Sequence, residues 1–165
     1  MKYVAVLLTF LLFGCDNENK YEMPKLDEKI TTFTISEANK DLLKWELKGE
    51  SAIDRGNTIV IYNFVLKFYK KDGTVSSLLE ADSGFIFEET NNLKAMGHVV
   101  VQSEDSTIVW TEELNWIEDK QKIQTESALK YKKGEKIYTG KGMEADADLK
   151  YIVIKNKFTG EGQFE

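Results

Sequence analysis

From residue 30 to the C-terminus, apolar and polar side chains trade places with a period of two, not 3.6. The clearest case is 58–70, where Val60, Tyr62, Phe64, Leu66 and Phe68 share one parity; Ile59, Ile61 and Val65 make the other parity apolar too. Residues 42–49 set Leu43, Trp45 and Leu47 against Lys44, Glu46 and Lys48, and 93–102 alternate in the same way. Such alternation predicts strands. Further strands are expected over 30–37, 74–81, 85–87, 107–111, 114–117, 122–131, 136–139 and 149–159. Turns are expected at 49–56, Asp72-Gly73, 82–84, 89–92 and 104–106, where Gly, Asp, Asn and Ser gather. No stretch of this region has a convincing helical period. Pro24 is the only proline, so every later residue keeps the N–H that a sheet ladder needs. Thr111, Thr125 and Thr139 recur at a spacing that fits one strand plus one turn.

The first 15 residues break this pattern. Lys2 is followed by an apolar run of about ten residues, too short to span a bilayer and of signal-peptide length. The run ends at Cys15, the only cysteine, and the polar run Asp16-Asn17-Glu18-Asn19-Lys20 follows at once. Leu12-Phe13-Gly14-Cys15 resembles a bacterial lipobox, although Phe13 stands where a small or β-branched residue is usual. The expected organisation is a signal peptide over 1–14, a lipid-anchored tether over 15–29 with Cys15 as the lipid attachment point, and a β domain over 30–165. Several acyl chains, at about 0.8 kcal/mol per buried CH₂, would hold such a protein at a membrane. Asp16 resembles the residue that keeps enteric lipoproteins at the inner membrane; as an ordinary linker residue it carries no address.

Composition narrows the function. The net charge is −6 and the pI about 5.0. Lys70-Lys71 and Lys132-Lys133 lie beside glycine turns and form no basic tract, so nucleic-acid binding is not expected. His98 is the sole histidine and falls on the more polar parity of its strand. No nucleophile elbow, phosphate loop or histidine-rich metal spacing occurs. Asp146, Asp148, Glu112 and Glu113 are expected to be solvated carboxylates, so neither catalysis, a metal nor a cofactor is expected.

Eight segments follow one another along the chain. They are Trp45-Glu-Leu-Lys-Gly-Glu-Ser-Ala52, Val65-Leu-Lys-Phe-Tyr-Lys-Lys-Asp-Gly73, Leu79-Glu-Ala-Asp-Ser-Gly84 and Leu93-Lys-Ala-Met-Gly-His-Val-Val-Val101. Further on come Val109-Trp-Thr-Glu-Glu-Leu-Asn-Trp116, Ile123-Gln-Thr-Glu126, Tyr138-Thr-Gly-Lys-Gly-Met-Glu-Ala-Asp146 and Phe158-Thr-Gly160. In this order they resemble the LptC family, the membrane-anchored periplasmic component of lipopolysaccharide export. The resemblance implies an all-β, twisted antiparallel jelly-roll-like stack with an open apolar groove, in the periplasm at the inner membrane. It implies a cargo of lipopolysaccharide or lipooligosaccharide, taken from an inner-membrane ABC transporter complex and passed to a periplasmic LptA-like bridge protein. Many members carry a transmembrane helix where this chain has a lipobox-like run.

The expected groove residues are Tyr62, Phe64, Leu66, Phe68, Leu79, Val99, Val101, Trp110 and Ile123. Phe85, Phe87, Leu93, Leu114, Trp116, Leu129 and Ile137 extend the set. The expected partner edge holds Gly140, Gly142, Ile152 and Ile154. By patterning alone the same residues fit a closed core equally. A structural or glycan-binding β-sandwich surface lipoprotein is the alternative, and it would place Trp45, Trp110 and Trp116 on an outer face.

Overall fold

A computed structural model describes residues 29–40 and 42–161 of the chain. Cys15, the signal segment and the tether up to residue 28 lie outside them. The described part is all-β: β1 (Lys29–Asn39), β2 (Leu42–Asp54), β3 (Thr58–Tyr69), β4 (Val75–Phe87), β5 (Asn92–Ser103), β6 (Ile108–Ile117), β7 (Lys122–Lys133), β8 (Lys136–Asp146) and β9 (Ile152–Glu161). One short 3₁₀ turn, Glu118–Lys120, separates β6 from β7. The strands form one antiparallel sheet in chain order, β1 to β9, so β1 and β9 are its edges. Local chemistry sets the hairpins. Asp72 Oδ1 accepts the backbone N–H of Thr74 at 2.9 Å, and Asp54 Oδ1 accepts that of Gly56 at 2.7 Å.

Several strands are longer than the local pattern predicts. Residues 49–54, expected in a turn, continue β2: Gly49 pairs with Phe33 on one side and Phe64 on the other. The Phe33 ring covers Gly49 so closely that a Cβ there would lie 2.5 Å from a ring carbon. An aromatic ring thus fills the gap in the strand that the missing side chain leaves. Asp82-Ser83-Gly84 is likewise not a turn but a mid-strand irregularity of β4. Residues 107–111 and 114–117 merge into one β6, and β8 runs on to Asp146.

These irregularities line up. The register slips between Glu80 and Ser83, Met96 and Val99, Thr111 and Asn115, Thr125 and Ala128, and Thr139 and Lys141. Each lies near the middle of its strand, so together they crease the sheet across its strands. Bulges bend a strand and increase its twist. Gly97 and Gly142 on this line have φ of 77° and 74°, a region glycine enters freely, and Asn63 and His98 are also at positive φ. The crease folds the sheet onto itself. As a result Phe68 of β3 meets Trp116 of β6, which are not neighbouring strands, with ring centroids 4.7 Å apart. Ser77 Oγ donates to the Ala147 carbonyl at 2.5 Å across the same gap.

The threonine rhythm marks the crease. Thr111 and Thr125 are buried on it. Thr111 Oγ1 donates to the Ala128 carbonyl at 2.9 Å, and Thr125 Oγ1 accepts the N–H of Ser127 at 3.0 Å. Their hydroxyls satisfy backbone groups in the part of the ladder where the register slips.

Candidate functional site

The folded sheet encloses an apolar trough. Phe64, Leu66, Phe68, Leu79, Val99, Val101 and Ile123 all point inward and are buried, joined by Leu93, Leu114, Trp116 and Leu129. Along most of the trough the side chains of the two halves fill the space between them.

Tyr62 and Trp110 do not belong to this inner face. Tyr62 is 40 % exposed, and Ile61 takes the inward position instead. Trp110 alternates with Val109 and Thr111, which are buried, and Lys130 Nζ stands 5.7 Å from its ring centroid on the outer face. Phe87 is also exposed, while Gly84 is buried and Ile86 packs against the core. One cause explains these misplacements. A strict period of two carried from Phe64 back to Tyr62, or from Trp116 back to Trp110, crosses the crease. The inward parity changes there, from Ile61 to Phe64 in β3, where Asn63 is at positive φ, and from Thr111 to Leu114 in β6. Leu47, Val109, Met143 and Leu149 are core residues absent from the expected set. Val109 and Met143 lie beside the crease; Leu149, expected to open the last strand, sits instead in the loop before β9.

The expected partner edge also divides. Gly140 and Gly142 lie in β8, flanked by β7 and β9, and so are not on an edge. Ile152 and Ile154 are on β9, the edge strand, with side chains packed against the core. Tyr151 and Val153 beside them are exposed. The three tryptophans form no common outer platform, since Trp116 is buried and Trp45 packs on the core.

At one end the trough opens. A mouth of about 660 Å³ is framed by the β1–β2 hairpin, the end of β3, Gln121 and the loop from Asp146 to Asp148. Phe68 and Trp116 line it, and that volume lies in the range of small-molecule sites. Its charges are mostly matched. Lys44 Nζ bonds Glu37 Oε1 at 2.6 Å, and Trp45 Nε1 donates to Glu37 Oε2 at 3.1 Å. The bond from Lys44 holds the Glu37 carboxyl below its ordinary pKa, and that same bond raises Lys44. Lys70 pairs with Glu104, Lys122 with Asp146 and Lys150 with Asp148. Lys40 and Lys71 have no ion pair among the described residues.

His98 belongs to a surface pair. It is exposed on the outer side of the crease, with Nδ1 2.7 Å from Asp82 Oδ2. That hydrogen bond, aided by the charges of Asp82 and Glu112, raises its pKa. Among the described residues no helix is long and apolar enough to cross a membrane.

The family described as lipopolysaccharide-assembly, LptC-related, matches residues 3–162. No curated protein matches the chain. The match covers nearly the whole sequence, and the chain belongs to the LptC family of the lipopolysaccharide export machinery. Membership implies a role in lipopolysaccharide transport among the components of that machinery, at the periplasmic side of the inner membrane.

Proposed function

We propose that this LptC-family chain accepts lipopolysaccharide from an inner-membrane ABC transporter and passes it to an LptA-like periplasmic bridge protein, with the acyl chains carried in the trough. Membership of the family supports the cargo, and the inward face of the creased sheet supports the route. An acyl chain crossing water exposes methylenes at about 0.8 kcal/mol each, and a continuous apolar face removes that penalty. Because side chains fill the body of the trough, loading parts the two halves of the sheet. The edge strand β9 offers unpaired backbone groups to the strand of a partner sheet, the mode of strand addition. Lipid on Cys15 holds the chain at the membrane.

The test places a photo-crosslinking residue at Leu66 or Val101, which face inward, and at Tyr62 or Trp110, which face outward. Capture of lipopolysaccharide at the inward pair alone supports the trough. Capture at neither pair, or equally at both, overturns it. For the anchor, labelled fatty acid should enter the wild-type chain and not the Cys15→Ser variant; equal labelling of the two sinks the attachment.

A further inference from the structure

The outer face of the crease carries a groove of its own, of about 570 Å³, lined by Val100, Trp110, Glu112, Ala128 and Lys130. Register explains the grouping. Val100, Trp110 and Lys130 stand abreast on β5, β6 and β7. Glu112 and Ala128 fall in the next row, where β6 and β7 slip past each other. These five alternate with the buried Val99, Val109, Thr111 and Leu129, so they face away from the trough. We infer that this groove binds a neutral saccharide, the N-acetylhexosamine backbone of the cell-wall glycan. One sugar ring stacks on Trp110, and Glu112 and Lys130 hold its hydroxyls.

The indole supplies the stacking surface. A pyranose has a flat face of C–H groups, and the negative face of an aromatic ring matches it in shape and polarity. Lys130 Nζ lies 5.7 Å from the Trp110 ring centroid, close to the limit of about 6 Å for cation–π attraction. Held that weakly, the ammonium is free to turn to a hydroxyl. Glu112 makes no hydrogen bond or ion pair among the described residues; its charge acts on His98, which Asp82 already holds. A carboxylate only accepts and an ammonium only donates, whereas a sugar hydroxyl does both, so the two together suit one. Ala128 and Gly140 are too small to fill the groove, and Ala128 and Val100 offer an acetamido methyl its apolar contact.

Charge decides for a neutral ligand. Glu80 stands opposite Val100 and Lys141 opposite Ala128, so two carboxylates and two ammonium groups surround the groove. With the signs balanced, neither a phosphate-rich saccharide nor a cation is favoured. The polar flank gives an acyl chain nothing in return for desolvation. The family works at the periplasmic side of the inner membrane, the compartment that holds the wall. A chain docked there by its outer face keeps the trough free for cargo.

The groove does not depend on lipid entering the trough, and its test uses probes without acyl chains. The full chain is titrated with a tetramer of N-acetylglucosamine while the indole N–H resonances of Trp45, Trp110 and Trp116 are followed; Trp110→Phe identifies the second. The Trp110 resonance should move, and the other two should stay. Affinity should fall about tenfold in Trp110→Ala, which removes the stacking face. It should fall about fivefold in Glu112→Ala, which keeps the ring and removes one acceptor. Tyr62→Ala, an exposed aromatic elsewhere on the outer face, should leave it unchanged. The phosphorylated, lipid-free saccharide cleaved from lipopolysaccharide should bind more weakly than the tetramer. A still Trp110 resonance, undiminished affinity in both the Trp110 and Glu112 variants, or tighter binding of the phosphorylated saccharide overturns the proposal. None of these results touches the trough, which stands or falls on capture at Leu66 or Val101.

Discussion

Phe64, in the body of the trough, and Leu42, at its mouth, are both large apolar residues of one sheet, yet the fold treats them oppositely. Phe64 is 2 % exposed and has sheet on both sides; Leu42 is nearly half exposed. The crease causes the difference. Where its two halves face each other, every inward side chain gains partners. At the hairpin ends the halves diverge, and the apolar surface stays open. The body therefore carries stability, and the mouth carries little of it.

The largest effect should come from cutting into the body. Phe64→Ala removes a buried ring and leaves a cavity, and should destabilise the protein by about 3–5 kcal/mol. Leu42→Ala should change stability by less than about 0.5 kcal/mol, as is usual for surface positions. Urea unfolding of the two full-length variants measures both. Equal losses would erase the distinction between body and mouth.

A smaller effect sharpens the account of the body. Gly84 lies under the Phe64 ring, and a Cβ there would come within 2.9 Å of both a ring carbon and the Lys94 carbonyl oxygen. Gly84→Ala should therefore destabilise by about 1–3 kcal/mol through overpacking. A neutral result in the same unfolding assay would show that the body has slack, bringing it closer to the mouth.

The smallest effect belongs to a control on the outer side of the crease. Asp82 raises the pKa of His98 in the folded protein. The stabilisation from this pair is fully present below the ordinary histidine value of about 6.5 and is lost as pH rises through the raised folded value. Both side chains are exposed, so stability should barely respond. A nuclear magnetic resonance titration of His98 should move to lower pH in Asp82→Asn. An unchanged midpoint would remove the pair; a large pH dependence of unfolding would show that the outer face also bears load.

Much of this was legible in the sequence. The alternation of 58–70 and 93–102, the Asp72-Gly73 hairpin and the absence of proline after Pro24 all translate into strands and turns. Phe64, Leu66, Phe68, Leu79, Val99, Val101 and Ile123 lie where their parity puts them. Tyr62, Trp110 and Phe87 do not, because each lies beyond a bend from the residues that set the parity. Asp82-Ser83-Gly84 shows why the bends stay hidden: the residues that make a turn also make a bulge, and only the pairing of the next strand separates the two. Gly140 and Gly142 were misplaced for a related reason, since nothing in their own strand shows that β9 covers it.

The sequence by itself determined that this chain builds strands, roughly where they run, and which family they belong to. Alternation and turn chemistry act over a few neighbouring residues, and they survive in a linear string. Only the tertiary structure decided where the sheet creases, which parity faces inward on each side, and at which end the trough stands open. Those depend on the register between strands and on contacts such as Phe68 with Trp116, 48 positions apart, which exist only once the halves have closed.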